Sequence, residues 1–205
     1  MLRKGPNHGA GTKEESDKTQ AGHMANIQKM ARLGKLIAAG PMGDDGNLRG
    51  IFLFKSSREE ARALAAEDPA IRAGRLALDL HSWYGPKGIG AKLNEEYRKD
   101  SNVKTTMTRY FLALLGKGPK AADAASLETQ KLQLEHLWNV RRMLDAKTFA
   151  AAGPFNGAGG LRGIFVVAAN SLEEARAIVD ADPAVKAGQL SVEIHPWWVA
   201  KEVWP

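Results

Sequence analysis

Cysteine is missing from all 205 residues. That one absence excludes disulfides, a thiolate nucleophile and thiolate-ligated zinc. No stretch approaches the roughly 18 uninterrupted apolar residues that a membrane-crossing helix needs. Runs of positive charge never exceed two residues, although 29 Lys and Arg against 23 Asp and Glu give a net charge of +6. Acidic residues are interleaved with the basic ones ("KEESDK", "LNEEYRKD"), a pattern of solvated surface rather than of a nucleic-acid footprint. The expected partner is therefore a small molecule, with no nucleic acid and no membrane, and the charge is compatible with an anionic one. H-x-H and H-E-x-x-H spacings are absent, so neither metal nor cofactor is expected. The opening "MLRKGPNHG" carries no apolar signal core, which predicts a cytoplasmic location for the sequence as written.

What is present in quantity is repetition. "AAGPMGDDGNLRGIF" at 38–52 returns as "AAGPFNGAGGLRGIF" at 151–165. With a shift of 113 residues, 36–52 matches 149–165 at 10 of 17 positions. After one inserted residue the match resumes, and "DPAIRAGRLALDLHSW" from Asp68 faces "DPAVKAGQLSVEIHPW" from Asp182 with eight identities. Repetition on this scale marks a duplicated domain. The copies read as residues 1–84 and 107–205, joined by a charged linker, 85–106, with room for one short helix. Met1 aligns with Leu114, so copy one lacks a counterpart of "TRYFLA". That gap predicts a natural start about 6–10 residues upstream, and an exported protein if a signal precedes it.

Each copy reads β-α-β-β-α-β. In copy two, "TRYFLALLGKGP" is a strand closed by Gly118-Pro119. Ser126 caps a helix in which Leu127, Leu134, Leu137, Val140 and Leu144 recur at helical spacing. "FAAAGP" and "GGLRGIFVVAAN" form a hairpin, Ser171 and Glu174 open a second helix, and "GQLSVEIHPWW" alternates as a final strand. Copy one repeats the order, its first helix read from Lys18 and its last strand as "GRLALDLHSW". This is the ferredoxin-like arrangement. Along the last strand Leu76, Leu78 and Leu80 share one face and Asp79, His81 and Trp83 the other. Leu190, Val192 and Ile194 oppose Glu193, His195 and Trp197 in the same way. The fold class expected is α+β, with two ferredoxin-like repeats packed as an intrachain pseudo-dimeric α+β barrel whose polar, aromatic faces enclose a cavity. Further pairing into a homodimer is left open.

The helix histidines His23 and His136, the "AGP" turns, the glycine-arginine hairpin return, the "EEA…DP…AG" segments and the terminal "H-x-W" together resemble the YCII-related (YciI-like) domain family. The resemblance covers both copies. It implies a dimeric α+β barrel and a site built on a histidine and an aspartate, which match His23 with Asp68 and His136 with Asp182. Related barrels include lactone isomerases and a dehydrochlorinase acting on chlorinated aromatics. His–Asp acid–base chemistry of the isomerase, lyase or lactone type on a small anionic or aromatic molecule is therefore implied. The alternative is a non-catalytic small-molecule-binding or regulatory module, its ligand in the barrel cavity. In "DPAIRAG" and "DPAVKAG" the aspartate also serves as N-cap, proline as N1 and glycine as C′ of a one-turn helix. One carboxylate can cap and orient at once. His81, Trp83, His195 and Trp197 are expected in the ligand cavity, and Arg49 and Arg162, after the hairpin turns, as anchors for an anion. The hairpin glycines stand in the wrong context for a phosphate loop. Copy one has "GDDG" and His8 near its turns where copy two has "NGAG" and Ala121, so the two sites are expected to differ.

Overall fold

The computed structural model describes residues 1–100, 103–121, 126–157 and 159–205. Two linker residues, 101 and 102, and position 158 of the second hairpin turn lie outside the described set. In chain order the elements of the first copy are β1 (Leu2–Lys4), α1 (Lys13–Arg32), β2 (Leu36–Pro41), β3 (Leu48–Phe54), α2 (Arg58–Ala66), α3 (Pro69–Arg72) and β4 (Leu76–Leu78). A two-residue β5 (Ser82–Trp83) and α4 (Ala91–Lys99) follow. The second copy supplies β6 (Met107–Lys117), α5 (Leu127–Asp145), β7 (Phe149–Asn156), β8 (Leu161–Val167), α6 (Leu172–Asp180), α7 (Pro183–Lys186) and β9 (Leu190–Ala200), with a short 3-10 turn at Lys201–Val203.

Two compact units result, and each contains a piece written in the other half of the sequence. Unit 1 comprises Met1–His81, Gly88–Thr108 and Trp197–Pro205, and unit 2 comprises Ser82–Lys87 and Arg109–Pro196. The sheet of unit 1 has the order β2-β3-β1-β4, and β7-β8-β6-β9 repeats it in unit 2 with β5 added beside β7. Both sheets are antiparallel in their described pairings. The α+β class expected from the repeat is thus present in each unit, and the strand orders are consistent with ferredoxin-like repeats. From Gly88 on, the described linker residues belong to unit 1, where α4 packs on α1, β2 and the C-terminal turn.

The shared loop exists to receive a tryptophan. The Trp197 indole N–H donates to the Gly40 carbonyl at 3.1 Å, and Trp83 donates to Gly153 at 3.0 Å. A Cβ on Gly40 would overlap the Trp198 carbonyl oxygen, and one on Gly153 would overlap that of Tyr84. Across the hairpin, Gly50 and Gly163 face the Gly40 and Gly153 carbonyls with the same lack of room. The reason "AGP…RG" is spelled twice is therefore steric: each hairpin leaves a gap that only a backbone without side chains can leave.

Helix starts follow their caps. Thr12 and Glu15 form a reciprocal capping box, so α1 begins at Lys13, five residues before the expected Lys18. Ser126 caps α5 through Thr129 N–H as read from the sequence. Ser171 caps α6, whereas the Glu174 side chain accepts from Asn170 N–H rather than from Ser171 itself. The last strand of copy one differs from expectation. It breaks into β4 and β5, because the ladder on β1 ends where Asp79 N–H meets the Met1 carbonyl. In copy two the eleven-residue β6 supports a continuous β9.

The aliphatic strand faces carry the cores. Leu76 and Leu78 pack on Leu2, Met30, Leu36 and Phe52 in unit 1. Leu190 and Val192 pack on Phe111, Phe149, Phe165 and Val179 in unit 2. The helical stripe predicted for α5 is corrected in part. Val140, Met143 and Leu144 reach the core, while Leu127, Leu134 and Leu137 stand exposed.

Candidate functional site

The site begins with a short helix. In "DPAIRAG", Asp68 accepts the Ala70 N–H, Pro69 occupies N1, and Gly74 takes a left-handed φ of 69° that closes α3. The side chain of Asp68 is fully buried, because α1 packs directly over α3. A buried carboxylate needs several donors to remain ionised. His23 Nδ1 lies 2.9 Å from both carboxylate oxygens, and Asn26 Nδ2 donates to Oδ2 at 3.2 Å. The second copy builds the same cluster. His136 Nδ1 stands 2.9 and 3.0 Å from the Asp182 oxygens, Asn139 donates at 2.9 Å, and Ala184 N–H is capped.

The electrostatics follow from those donors. Burial opposes ionisation of Asp68, but the bonds from His23, Asn26 and Ala70 outweigh it and hold the carboxyl below its usual range. Asp182 is held down by the same balance, through His136, Asn139 and Ala184. An ionised carboxylate can only accept, so Nδ1 of each histidine must carry the proton. Nε2 is then the basic nitrogen, and it makes no hydrogen bond among the described residues of either unit. Each imidazole is further fixed by stacking, His23 on Phe52 at 5.8 Å and His136 on Phe165 at 6.0 Å. The histidine side chains are only 12% and 13% exposed. A histidine with fixed tautomer, an open Nε2 and a carboxylate behind it can accept and return a proton.

In unit 1 the histidine borders a cavity of about 390 Å³. Its walls are mostly apolar, among them Ile27, Phe52, Leu93 and Val203, and α4 contributes Asn94 and Tyr97. The remaining expected site residues fall elsewhere. Arg49 donates to the Asp44 carbonyl at 2.8 Å and closes its own hairpin turn. Arg162 is exposed at the equivalent turn. His81 Nε2 pairs with Asp79 at 2.7 Å in the break between β4 and β5, and His195 Nε2 with Glu193 at 2.9 Å along β9. Trp83 and Trp197 serve the hairpins, and none of these six borders the cavity beside His23. Asn26, Asn139 and the two stacked phenylalanines were not singled out from sequence. The signal was available, since an asparagine three residues after the histidine recurs in both copies. Among the described residues no three His, Asp or Glu side chains gather as a metal centre would require, and no helix is long and apolar enough to cross a membrane.

Comparison with known proteins places this geometry in a family. The model of the YCII-related domain matches residues 2–78 and 110–198, one match per copy. The uncharacterized protein YjpA of Bacillus subtilis (strain 168) is 36% identical over 80 residues, which cover 37% of this chain and 92% of that protein. No solved structure matches the chain. With both matches together spanning most of its length, the chain belongs to the YCII-related domain family and carries the domain in two tandem copies.

Proposed function

We propose that the protein is an enzyme of acid–base chemistry, with His23 and His136 as the proton-transferring groups and Asp68 and Asp182 as the carboxylates that orient them. One observation carries the reading: in both copies Nδ1 is bound to a buried carboxylate while Nε2 has no partner among the described residues. Proton abstraction next to a carbonyl, followed by return at another atom or loss of a leaving group, needs no more than this. It covers the isomerase, lyase and lactone reactions that the family resemblance implies. The sites differ in their surroundings. His23 borders a cavity partly built by α4, and unit 2 contains no counterpart of α4 among its described residues.

The test is hydrogen exchange into small molecules. The full chain is incubated in D2O with a panel of cyclic ketones and lactones, and deuterium uptake at carbon is read by mass spectrometry. His23→Gln should cut uptake by about 10²–10⁴-fold, the usual contribution of a positioned base, with a smaller effect from His136→Gln. A double variant that keeps full exchange would sink the catalytic reading. The mostly apolar cavity supports a second reading, a binding module without chemistry. Tight binding with no exchange or turnover would favour it. The resemblance also supports closure of the two sheets into one α+β barrel, a proposal that distance measurements between spin labels on β3 and β8 would test.

A further inference from the structure

The cavity beside His23 has a chemical character that the net charge of +6 does not predict. Among the described residues, no Lys, Arg, Asp or Glu lines it. Its polar side chains are those of Gln20, His23, Gln28, Asn94, Tyr97 and Thr105. The arginines expected to hold an anion are engaged or exposed at their turns. A carboxylate entering such a space would give up its hydration and gain no cation in return. Even a protonated His23 offers little, because Asp68 already offsets its charge at 2.9 Å.

The linker helix supplies the second observation. Asn94 is 6% exposed, yet its carboxamide makes no hydrogen bond among the described residues. The amide atoms keep some accessible surface, so the group is open to a bond with a water or a ligand. Asn94 also borders a second cleft, and Lys55, Glu95 and Arg98 line that cleft rather than the cavity beside His23. One turn along, Tyr97 borders the same cavity with its phenol bonded to the Thr105 side chain. Burial pushes the Tyr97 pKa up, which keeps the phenol a neutral donor.

We propose that the cavity of unit 1 takes an uncharged, largely apolar molecule of one or two rings, oriented by Asn94 and Tyr97 of the linker helix. The size follows from about 390 Å³, near the small end of ligand sites, which run from roughly 300 to 1,000 Å³. The carboxamide and phenol suit a carbonyl or hydroxyl on that molecule. The inference rests on the reading of His23 as the reacting group. It makes the segment between the repeats part of the first site, so the duplicated halves are not equivalent.

The probes are 2-naphthol and 2-naphthoate, similar in shape and different in charge at neutral pH. Binding to the full chain is measured by calorimetry, and the His23 ring resonances report where each probe sits. We expect 2-naphthol to shift those resonances and to bind at least about tenfold more tightly than 2-naphthoate. Asn94→Leu and Tyr97→Phe should each weaken 2-naphthol by about 2–10-fold, the worth of one hydrogen bond, and Tyr97→Phe guards against a folding defect in the other variant. Equal or tighter binding of 2-naphthoate, or no shift of the His23 ring with either probe, overturns the proposal. The two readings fail separately. Carbon exchange that survives His23→Gln while 2-naphthol selectivity holds removes the catalysis and leaves the ligand class. Loss of exchange without that selectivity does the reverse.

Discussion

Asp68 Oδ1 serves two structures at once, accepting the Ala70 N–H at 2.9 Å and standing 2.9 Å from His23 Nδ1. The group that starts α3 also fixes the histidine tautomer. Asp182 Oδ1 repeats the arrangement with Ala184 and His136. Site geometry and local folding are thereby joined in one side chain, and neither can be altered alone.

Replacing that side chain tests the union. Asp68→Asn keeps a capping oxygen but turns an acceptor into a donor that faces His23 and Asn26. The expected loss is about 1–3 kcal/mol, the cost of leaving a buried polar group unsatisfied. Asp68→Ala removes the cap as well and should cost more. Urea denaturation measures both, and ¹⁵N chemical shifts of His23 should show that Nδ1 no longer holds the proton uniformly.

Acid should loosen both clusters. The folded carboxyls of Asp68 and Asp182 lie below their usual range, so the unfolded chain binds more protons there. Stability therefore rises with pH through that window. The contribution is fully present above the unfolded value of about 4 and is lost as pH falls through the folded values. In melts between pH 5 and 2, Asp68→Asn and Asp182→Asn should each flatten the acid limb. A slope unchanged in the double variant would contradict this origin.

Gly40→Ala and Gly153→Ala should act as a pair of steric probes. A methyl at either position meets a carbonyl oxygen of the visiting segment, Trp198 or Tyr84. Overpacking of this kind costs about 1–3 kcal/mol. Hydrogen exchange should show Gly40→Ala loosening the Trp197 segment, and Gly153→Ala the Trp83 segment.

Truncating each indole should weaken one unit at a time. Trp197 is 1% exposed and donates to Gly40, so Trp197→Ala should cost about 3–5 kcal/mol. Trp83 is only partly buried, and its loss should cost less. Amide exchange should rise first in β2 and β3 for Trp197→Ala, and in β7 and β8 for Trp83→Ala.

The sequence made some of this legible because the relevant physics is local. Asp68, Pro69 and Gly74 spell a cap, a first turn and a left-handed exit within seven residues, and α3 forms as spelled. Strand order followed from the repeat and from alternation. Other features depend on distant partners. The first turn of α1 is wholly polar, so no apolar period announced it, and only Thr12 with Glu15 marked its start. Asn26 carries no local signal of burial, and its role depends on Asp68, 42 residues away. Leu127, Leu134 and Leu137 had the right spacing but lie off the buried face. Alternation placed Trp83 beside His81, whereas its indole is bound 70 residues away. Arg49 and Arg162 were read as anion anchors from their place after the hairpin turns. That place does not report whether the guanidinium is already engaged, as that of Arg49 is by the Asp44 carbonyl.

The reciprocal tryptophan segments also set an order of synthesis. The first repeat leaves the ribosome first, yet unit 1 needs Trp197–Pro205, which are translated long after it. Translation at about 5–20 residues per second keeps the Gly40 hairpin without its tryptophan, 157 residues on, for about 8–30 s. Unit 2 already has Ser82–Lys87 by the time its own hairpin emerges. The half made first is therefore the half matured last. During that interval the hairpin around Gly40 stands without the segment that fills it.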